Sequence, residues 1–334
     1  MASILGFGEI MLRLSTPRGE VLSSASSLDA AFGGAEANTI IALAGFGHNA
    51  AFLTCQPDND WGRRSTAMLA ASGVRSETLY MSDARIGTYF LETGVGRRGG
   101  RIIYDRKHSA FACQDWSGVD WPRLLKGVDR LHLSGITLAL SESAADACEA
   151  AARAACEAGC GVSFDANYRS ALWADTQAFG AACRRIAALA DVVFCGCREI
   201  RWMIDQPRPD EISPDPAHGF HLLKPVAPNM RWLAGTLHDQ DESGMQRLGG
   251  FATNGEDSAK VEPRGLGQFI DRVGGGDAFA AGILHGLAEG WPVQRTSEFA
   301  HAAAALKHTI FGDQLRASAA EVQRYAAHGA AVSR

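Results

Sequence analysis

The 334-residue sequence predicts an α/β fold with a mostly parallel sheet and a small β appendage at one edge. Two observations carry this expectation. From Arg130 onward, short apolar strand-like runs alternate with longer amphipathic runs, the rhythm of a parallel sheet covered on both faces. Before that, two strand-like runs flank a glycine-rich turn and break the rhythm, as an added hairpin would.

The elements follow in order. Ser3 to Gly8 is a short apolar strand, and Ala35 to Gly47 a buried helix that stops at glycine. Ala50 to Thr54 reads as a strand and Arg63 to Ser72 as a helix. The hairpin comprises Gly87 to Glu92 and Arg101 to Asp105. Arg130 to Ser134, Gly161 to Asp165 and Asp191 to Cys195 are strands; Glu142 to Glu157 and Asp175 to Ala190 are the helices between them. Pro207 to Pro228 holds six prolines, too many for regular helix throughout, and reads as a loop with short helical pieces. Arg231 to Thr236 resumes the sheet. The alanine bias marks helices rather than disorder, and no internal repeat is found.

Composition narrows the function classes. The chain is 46% hydrophobic, ample for a large core, and its net charge is −5. That balance does not favour nucleic acid or an anionic membrane as partner. No apolar run approaches the roughly 18 residues of a membrane span, and the first residues carry no secretory pattern, so a cytoplasmic location is expected. The eight cysteines form no Cys-x-x-Cys pair and are read as reduced, mostly buried thiols.

Two glycine patterns compete for a phosphate-binding role. Gly94-x-Gly96-x-x-Gly99 matches a dinucleotide fingerprint as text, but a strand follows it where a helix is required, so it is read as a hairpin tip. No Gly-Lys pair exists, which excludes a Walker A loop. The second pattern, Gly274-Gly275-Gly276-Asp277, follows a strand-like Gly267-Gln268-Phe269-Ile270 and opens an apolar helix, Ala278 to Glu289. Consecutive glycines at a helix N-terminus bring bare N–H groups to an anion. The residues alone leave Asp277 either as a helix cap or as the base that deprotonates a hydroxyl beside a phosphate. An earlier pair, Gly33-Gly34, precedes a helix that carries Asn38 one turn in, suited to a small polar ligand.

Together the early Gly-Gly-x-x-x-Asn and the late Gly-x-Gly-Asp resemble the two motifs of the ribokinase-like (PfkB) carbohydrate kinases. Several segments are similar to the 2-keto-3-deoxygluconate kinases of that family: Asp165-Ala166-Asn167-Tyr168-Arg169 with Leu172-Trp173, Tyr89 with Tyr104-x-Arg106, Asp271-Arg272-Val273 before the glycines, and Ala304 to Ile310 with Gly312-Asp313. The resemblance implies one kinase domain over residues 1–334, a three-layer sandwich with a β lid from about residues 10–33 and 85–110. It implies ATP and Mg²⁺ as cofactors and 2-keto-3-deoxygluconate as the acceptor, phosphorylated on its terminal hydroxyl.

On that resemblance Asp277 is the catalytic base, and Gly274, Gly275 and Gly276 form the anion hole. Gly33, Gly34, Asn38, Tyr89, Tyr104, Arg106 and Arg169 are expected to hold the sugar. Arg106 and Arg169 suit a carboxylate, which a neutral hexose lacks. Asn167, Thr236, His238, Gly249, Gly250 and Ala304 are expected at the nucleotide, and Glu199 near the metal. Two positions depart from the family pattern: Gly196 replaces an asparagine of Asn-x-x-Glu, and His238 an arginine of Thr-x-Arg. A kinase for a neutral sugar such as fructose or ribose, and a non-catalytic sugar- or nucleotide-binding homologue, are the other readings. An apolar lid face is suited to pairing two subunits, so a homo-oligomer is expected.

Overall fold

The computed structural model describes residues 1–95, 98–205, 215–240, 246–266 and 269–328. In chain order its elements are β1 (Ser3–Phe7), β2 (Met11–Ser15), β3 (Asp29–Gly33), α1 (Ala35–Gly45), β4 (Asn49–Pro57), α2 (Asp60–Ala71), β5 (Arg75–Met81), β6 (Thr88–Glu92) and β7 (Arg101–Asp105). There follow α3 (Ala110–Cys113), α4 (Trp121–Leu125), β8 (Arg130–Ser134), α5 (Gly135–Leu138), α6 (Glu142–Glu157), β9 (Gly161–Asp165), α7 (Thr176–Ala187), β10 (Val192–Phe194) and α8 (Cys197–Met203). The last are α9 (Pro216–Leu223), β11 (Trp232–Gln240), β12 (Gln246–Thr253), β13 (Ser258–Gly265), α10 (Gly275–Ala288), α11 (Val293–Lys307) and α12 (Ala319–His328).

Among the described residues the large sheet has nine strands in the order β13-β12-β11-β10-β9-β8-β1-β4-β5. Every pairing from β11 to β5 is parallel; β12 and β13 join antiparallel. Successive side chains point to opposite faces of a strand, and each face meets its own core. Leu5, Phe7, Leu131, Phe164 and Val193 pack with α6 and α7 residues such as Ala151 and Phe179. Ile4, Phe52, Val192 and Phe194 pack with Ile40 of α1, Phe279 of α10 and Ala300 of α11. Burial on both faces explains why these strands read as continuous apolar runs. No helix among the described residues is long and apolar enough to cross a membrane.

The edge appendage is larger than a hairpin. It is a four-stranded sheet, β3-β2-β6-β7, and β2 runs parallel to β6, so the sheet is mixed rather than antiparallel. Its inner face carries Tyr89, which lies directly across the ladder from Tyr104.

One sequence expectation needs correction here. Phe269 and Ile270 are not in a strand; the ladder ends at Gly265, and Gly267 and Gln268 lie outside the described residues. The proline-rich stretch holds a short helix as expected, α9, with Pro216 in its first turn where a missing N–H costs nothing. The part of that stretch before residue 215, like Gly96 of the hairpin tip, lies outside the described residues.

Candidate active site

The carboxyl ends of β9, β10 and β11 open into a cleft of about 930 Å³, bounded on its other sides by the four-stranded sheet and the N-terminus of α10. Open α/β sheets bind ligands at this end. Gly274 caps α10 with φ +84°, a left-handed conformation that favours glycine. A Cβ there would also lie 1.7 Å from the carbonyl oxygen of Asp313. The cap therefore excludes a side chain on two grounds. The next residues present their first-turn N–H groups, which have no partner within the helix.

Asp277 follows in that first turn and is buried. Asn38 Nδ2 donates to its Oδ2 at 2.7 Å, and Asn38 Oδ1 accepts from the N–H of Gly34 at 3.4 Å. Asn38, expected to touch the sugar, lines the cleft, and its amide also links the early glycine pair to the acid. Burial pushes the Asp277 carboxyl up to about 8, with Asp165 and Asp313 adding to the effect and the Asn38 bond and Arg169 opposing it. A helix N-terminus favours a carboxylate by about 0.3–1 kcal/mol, less than one pH unit's worth, so burial outweighs it. Asp165, the last residue of β9, is likewise held at about 7 by burial, with Arg169 and the Asn167 N–H opposing it and Glu36 and Glu199 reinforcing it. The Asn167 N–H donates to its Oδ1 at 3.0 Å.

The two expected carboxylate-binding arginines differ. Arg106 is buried and already paired: Nε and Nη2 donate to Glu9 Oε2 at 2.8 and 2.5 Å. Glu9 also accepts from the Ser109 hydroxyl. The Arg106 charge is matched from within, and the side chain also lines the cleft where it is expected to meet the sugar acid. Arg169 is exposed, its guanidinium donates to the carbonyl of Tyr168 at 3.2 Å, and no carboxylate among the described residues forms an ion pair with it. Tyr89 is also committed, donating to Asp313 Oδ2 at 2.5 Å.

The nucleotide residues divide in the same way. Thr236, His238 and Asn167 line the cleft. His238 is held below its ordinary value by burial and then by the nearby Arg272, so it is neutral at pH 7 and is a weak partner for phosphate. Gly249 and Gly250 do not reach the cleft. They lie within β12, where a Cβ would strike the Val261 carbonyl or the Phe279 ring, and Gly250 sits across the ladder from Thr236. Ala304 is buried in α11 and its carbonyl accepts from His308 at 2.6 Å. Gly33 lies behind the cleft wall, against the Asp313 carboxylate. Glu199 faces the cleft and accepts from the N–H of Gly196 at 3.0 Å.

Sequence reasoning missed five contributors. Arg272, two residues before Gly274, is exposed at the cleft with its guanidinium 4.8 Å from the Phe269 ring centre. Arg13 of β2 is fully buried and donates to Asp313 at 2.7 Å and Asp271 at 2.5 Å. Lys307, at the end of α11, is fully buried nearby. Arg272, Asp271 and Asp313 stood inside segments already singled out, and their charge next to glycine was the available signal. Lys307 likewise stood inside the segment Ala304 to Ile310, and Arg13 had no such signal.

Residues 1–319 match the pfkB family of carbohydrate kinases, and the chain belongs to that family. The chain is 33% identical over 325 residues to a 2-dehydro-3-deoxygalactonokinase of Haloferax volcanii, covering 97% of this chain and 96% of that protein. It is 25% identical to a 2-dehydro-3-deoxygluconokinase of Bacillus subtilis, covering 92% and 90%. The crystal structure of 2-dehydro-3-deoxygluconokinase from Thermotoga maritima superposes with a TM-score of 0.90 at 31% identity, covering 98% of this chain and all of that one. The fold is therefore ribokinase-like and the protein is a sugar kinase.

The state of Asp277 has a measurable consequence. Its folded value, about 8, lies above the unfolded value near 3.9, so its contribution favours folding at low pH and is lost as pH rises through 8. Asp277→Asn removes that titration. Its melting temperature relative to the parent should rise between pH 5 and pH 9; a constant difference across that range would show that Asp277 ionises normally.

Proposed function

We propose that this kinase transfers the γ-phosphoryl group of ATP to the terminal hydroxyl of 2-keto-3-deoxy-D-gluconate, giving 2-keto-3-deoxy-6-phosphogluconate and ADP. One observation carries the reading: a buried carboxyl at a glycine-rich helix N-terminus shares a cleft with an uncommitted guanidinium, Arg169. The carboxyl suits proton transfer, the helix N-terminus suits a phosphate, and the guanidinium suits a sugar acid.

In this reading Arg169 takes the sugar carboxylate, while Tyr104 and the Gly34 backbone bound the ring. Asp277 accepts the proton of the attacking hydroxyl as the O–P bond forms and ADP departs. The N–H groups at the start of α10 stabilise charge on the transferring group. A carboxyl with a value near 8 is a stronger base, once ionised, than an ordinary aspartate, and Asn38 holds it in place. Asp165 and Glu199 offer hard oxygen donors, which fit the water shell of Mg²⁺. The ion supplies neutralisation of phosphate charge when bound. Arg272 takes the phosphate contact that a neutral His238 cannot make.

The whole chain then works as one domain, with the four-stranded sheet as its lid. Ile103 on that sheet is half-exposed and suits contact with a second copy, and the cytoplasm suits the substrates. The Haloferax volcanii relative, by its name, favours a second reading, the galacto epimer of the same acid.

A coupled ADP-release assay over both keto-deoxy acids, fructose and ribose tests the substrate. The acids should be turned over in preference to the neutral sugars, and Arg169→Ala should raise the KM for the acid about 10–100-fold, the worth of a charged hydrogen bond. Asp277→Asn should lower kcat roughly 10²–10⁴-fold with KM values little changed. Better turnover of fructose than of either acid would overturn the substrate, and near-parental turnover by Asp277→Asn would overturn the base.

Arg272→Ala, at an exposed position, should raise the KM for ATP about 10-fold while leaving that for the sugar acid within a factor of about two. An unchanged KM for ATP would remove Arg272 from the phosphate site.

A further inference from the structure

We propose that Arg13, Lys307, Asp271 and Asp313 form a charge-balanced quartet that sets the shape of the glycine run, with Arg13 and Asp313 acting as positioning residues for phosphoryl transfer. The role in transfer rests on the kinase reading above; the hold on the backbone does not.

The quartet draws on four separate parts of the chain. Arg13 comes from β2 of the second sheet, Lys307 from the end of α11, and the two aspartates from segments on either side of the α10 cap. Arg13 directs each of its three nitrogens to a partner: Nη1 to Asp313 Oδ1 at 2.7 Å, Nη2 to Asp271 Oδ2 at 2.5 Å, and Nε to Ser15 Oγ at 2.7 Å. One guanidinium cannot neutralise two buried carboxylates. Lys307 supplies the second positive charge. Its Nζ donates to the Ile310 carbonyl at 3.2 Å, and Asp271 and Asp313 oppose the penalty that burial places on its ammonium.

The aspartates then act on the backbone. Asp271 accepts from the N–H of Val273 at 3.1 Å and of Gly312 at 3.0 Å, so one carboxylate ties together the two segments that meet at the cap. Asp313 accepts from Arg13 and from the Tyr89 hydroxyl, and its own carbonyl lies where a Cβ on Gly274 would be. Its carboxylate likewise fills the space beside Gly33. Any shift of Asp313 is thus passed to both glycine sites. Arg13 and Tyr89 anchor it to β2 and β6, the strands that wall the other side of the cleft. The direction of the N–H groups at Gly275 to Asp277 depends on a charge pair that spans the cleft from behind.

Asp313→Asn keeps the shape of the side chain and removes its charge. Hydrogen–deuterium exchange of the peptide covering residues 271–280 should be faster in this variant than in the parent, and kcat should fall roughly 10–100-fold, the cost of a small misplacement, with both KM values within about threefold. A merely stabilising role would lower the melting temperature without that split. If Asp313→Asn does not fold, Arg13→Lys retains the charge but not the fork, and the same two measurements apply. Unchanged exchange in the folded variant overturns the quartet. Faster exchange with unchanged kcat overturns its role in transfer. If the parent shows no sugar-dependent ATP turnover, the kinase reading falls, and the exchange measurement still decides whether the quartet holds the glycine run.

Discussion

A guanidinium with no exposed surface constrains this molecule more than any other group. Burying a charge costs several kcal/mol, and the cost is recovered only when geometry is good and every donor is used. Arg13 meets both conditions, with carboxylates on two nitrogens and a hydroxyl on the third. Removing one partner of such a pair costs about 3–5 kcal/mol, because the other charge is left buried. The second sheet is joined to the large domain by few elements, and β2 carries this anchor. Its position relative to α10, and so the width of the cleft, follows from where Arg13 finds its acids.

The cleft shows a second electrostatic arrangement of opposite sense. Asp165 and Asp277 lie in a poorly solvated wall, each raised first by burial, with Asp165 raising Asp277 further. Glu36 lies deeper, and although it accepts from Ser134 and Thr137 at 2.6 and 2.5 Å, burial still raises it. Arg169 and Arg272 are exposed at the cleft, while Arg106 is buried near Glu36. This ordering keeps Asp277 close to neutrality and leaves exposed positive charge on the cleft. Arg106 lines the same cleft but is buried and paired with Glu9, so exposure rather than residue type separates it from Arg169.

What the sequence disclosed and what it hid follow from the range of the interactions. Alternating strands and helices from Arg130 onward were legible because hydrophobic periodicity is local, and α6 was read to the residue as an alanine-rich run. The glycine run was legible because few other reasons place three glycines and an acid at a helix start. The short strands β2 and β3 were not, since five residues of an edge sheet carry little periodicity. The Arg13–Asp313 bond joins residues 300 positions apart, and no local pattern announces it. Gly249 and Gly250 misled for a different reason. Glycine marks close backbone approach whether the neighbour is a ligand or, as here, β13 and Phe279.

The two departures from the family pattern now carry less weight against catalysis. Gly196 lacks a side chain, yet its N–H orients Glu199, so the acid keeps its place without the asparagine. His238 is lowered by burial and by Arg272, and Arg272 is itself an exposed cation on the same cleft, carried by the glycine loop rather than the strand. In the proposed reading substrate choice turns on Arg169. If the cleft closes over the ligand, a neutral sugar would leave that guanidinium without a partner, a penalty the acid avoids. Discrimination of this kind comes from the unpaired group in the wrong complex more than from added attraction in the right one. The same argument separates acids from neutral sugars strongly but distinguishes gluco from galacto epimers hardly at all, since both present the carboxylate alike. Epimer choice must therefore rest on the hydroxyl contacts of the lid wall, where Tyr104 is the polar side chain that the buried network leaves uncommitted.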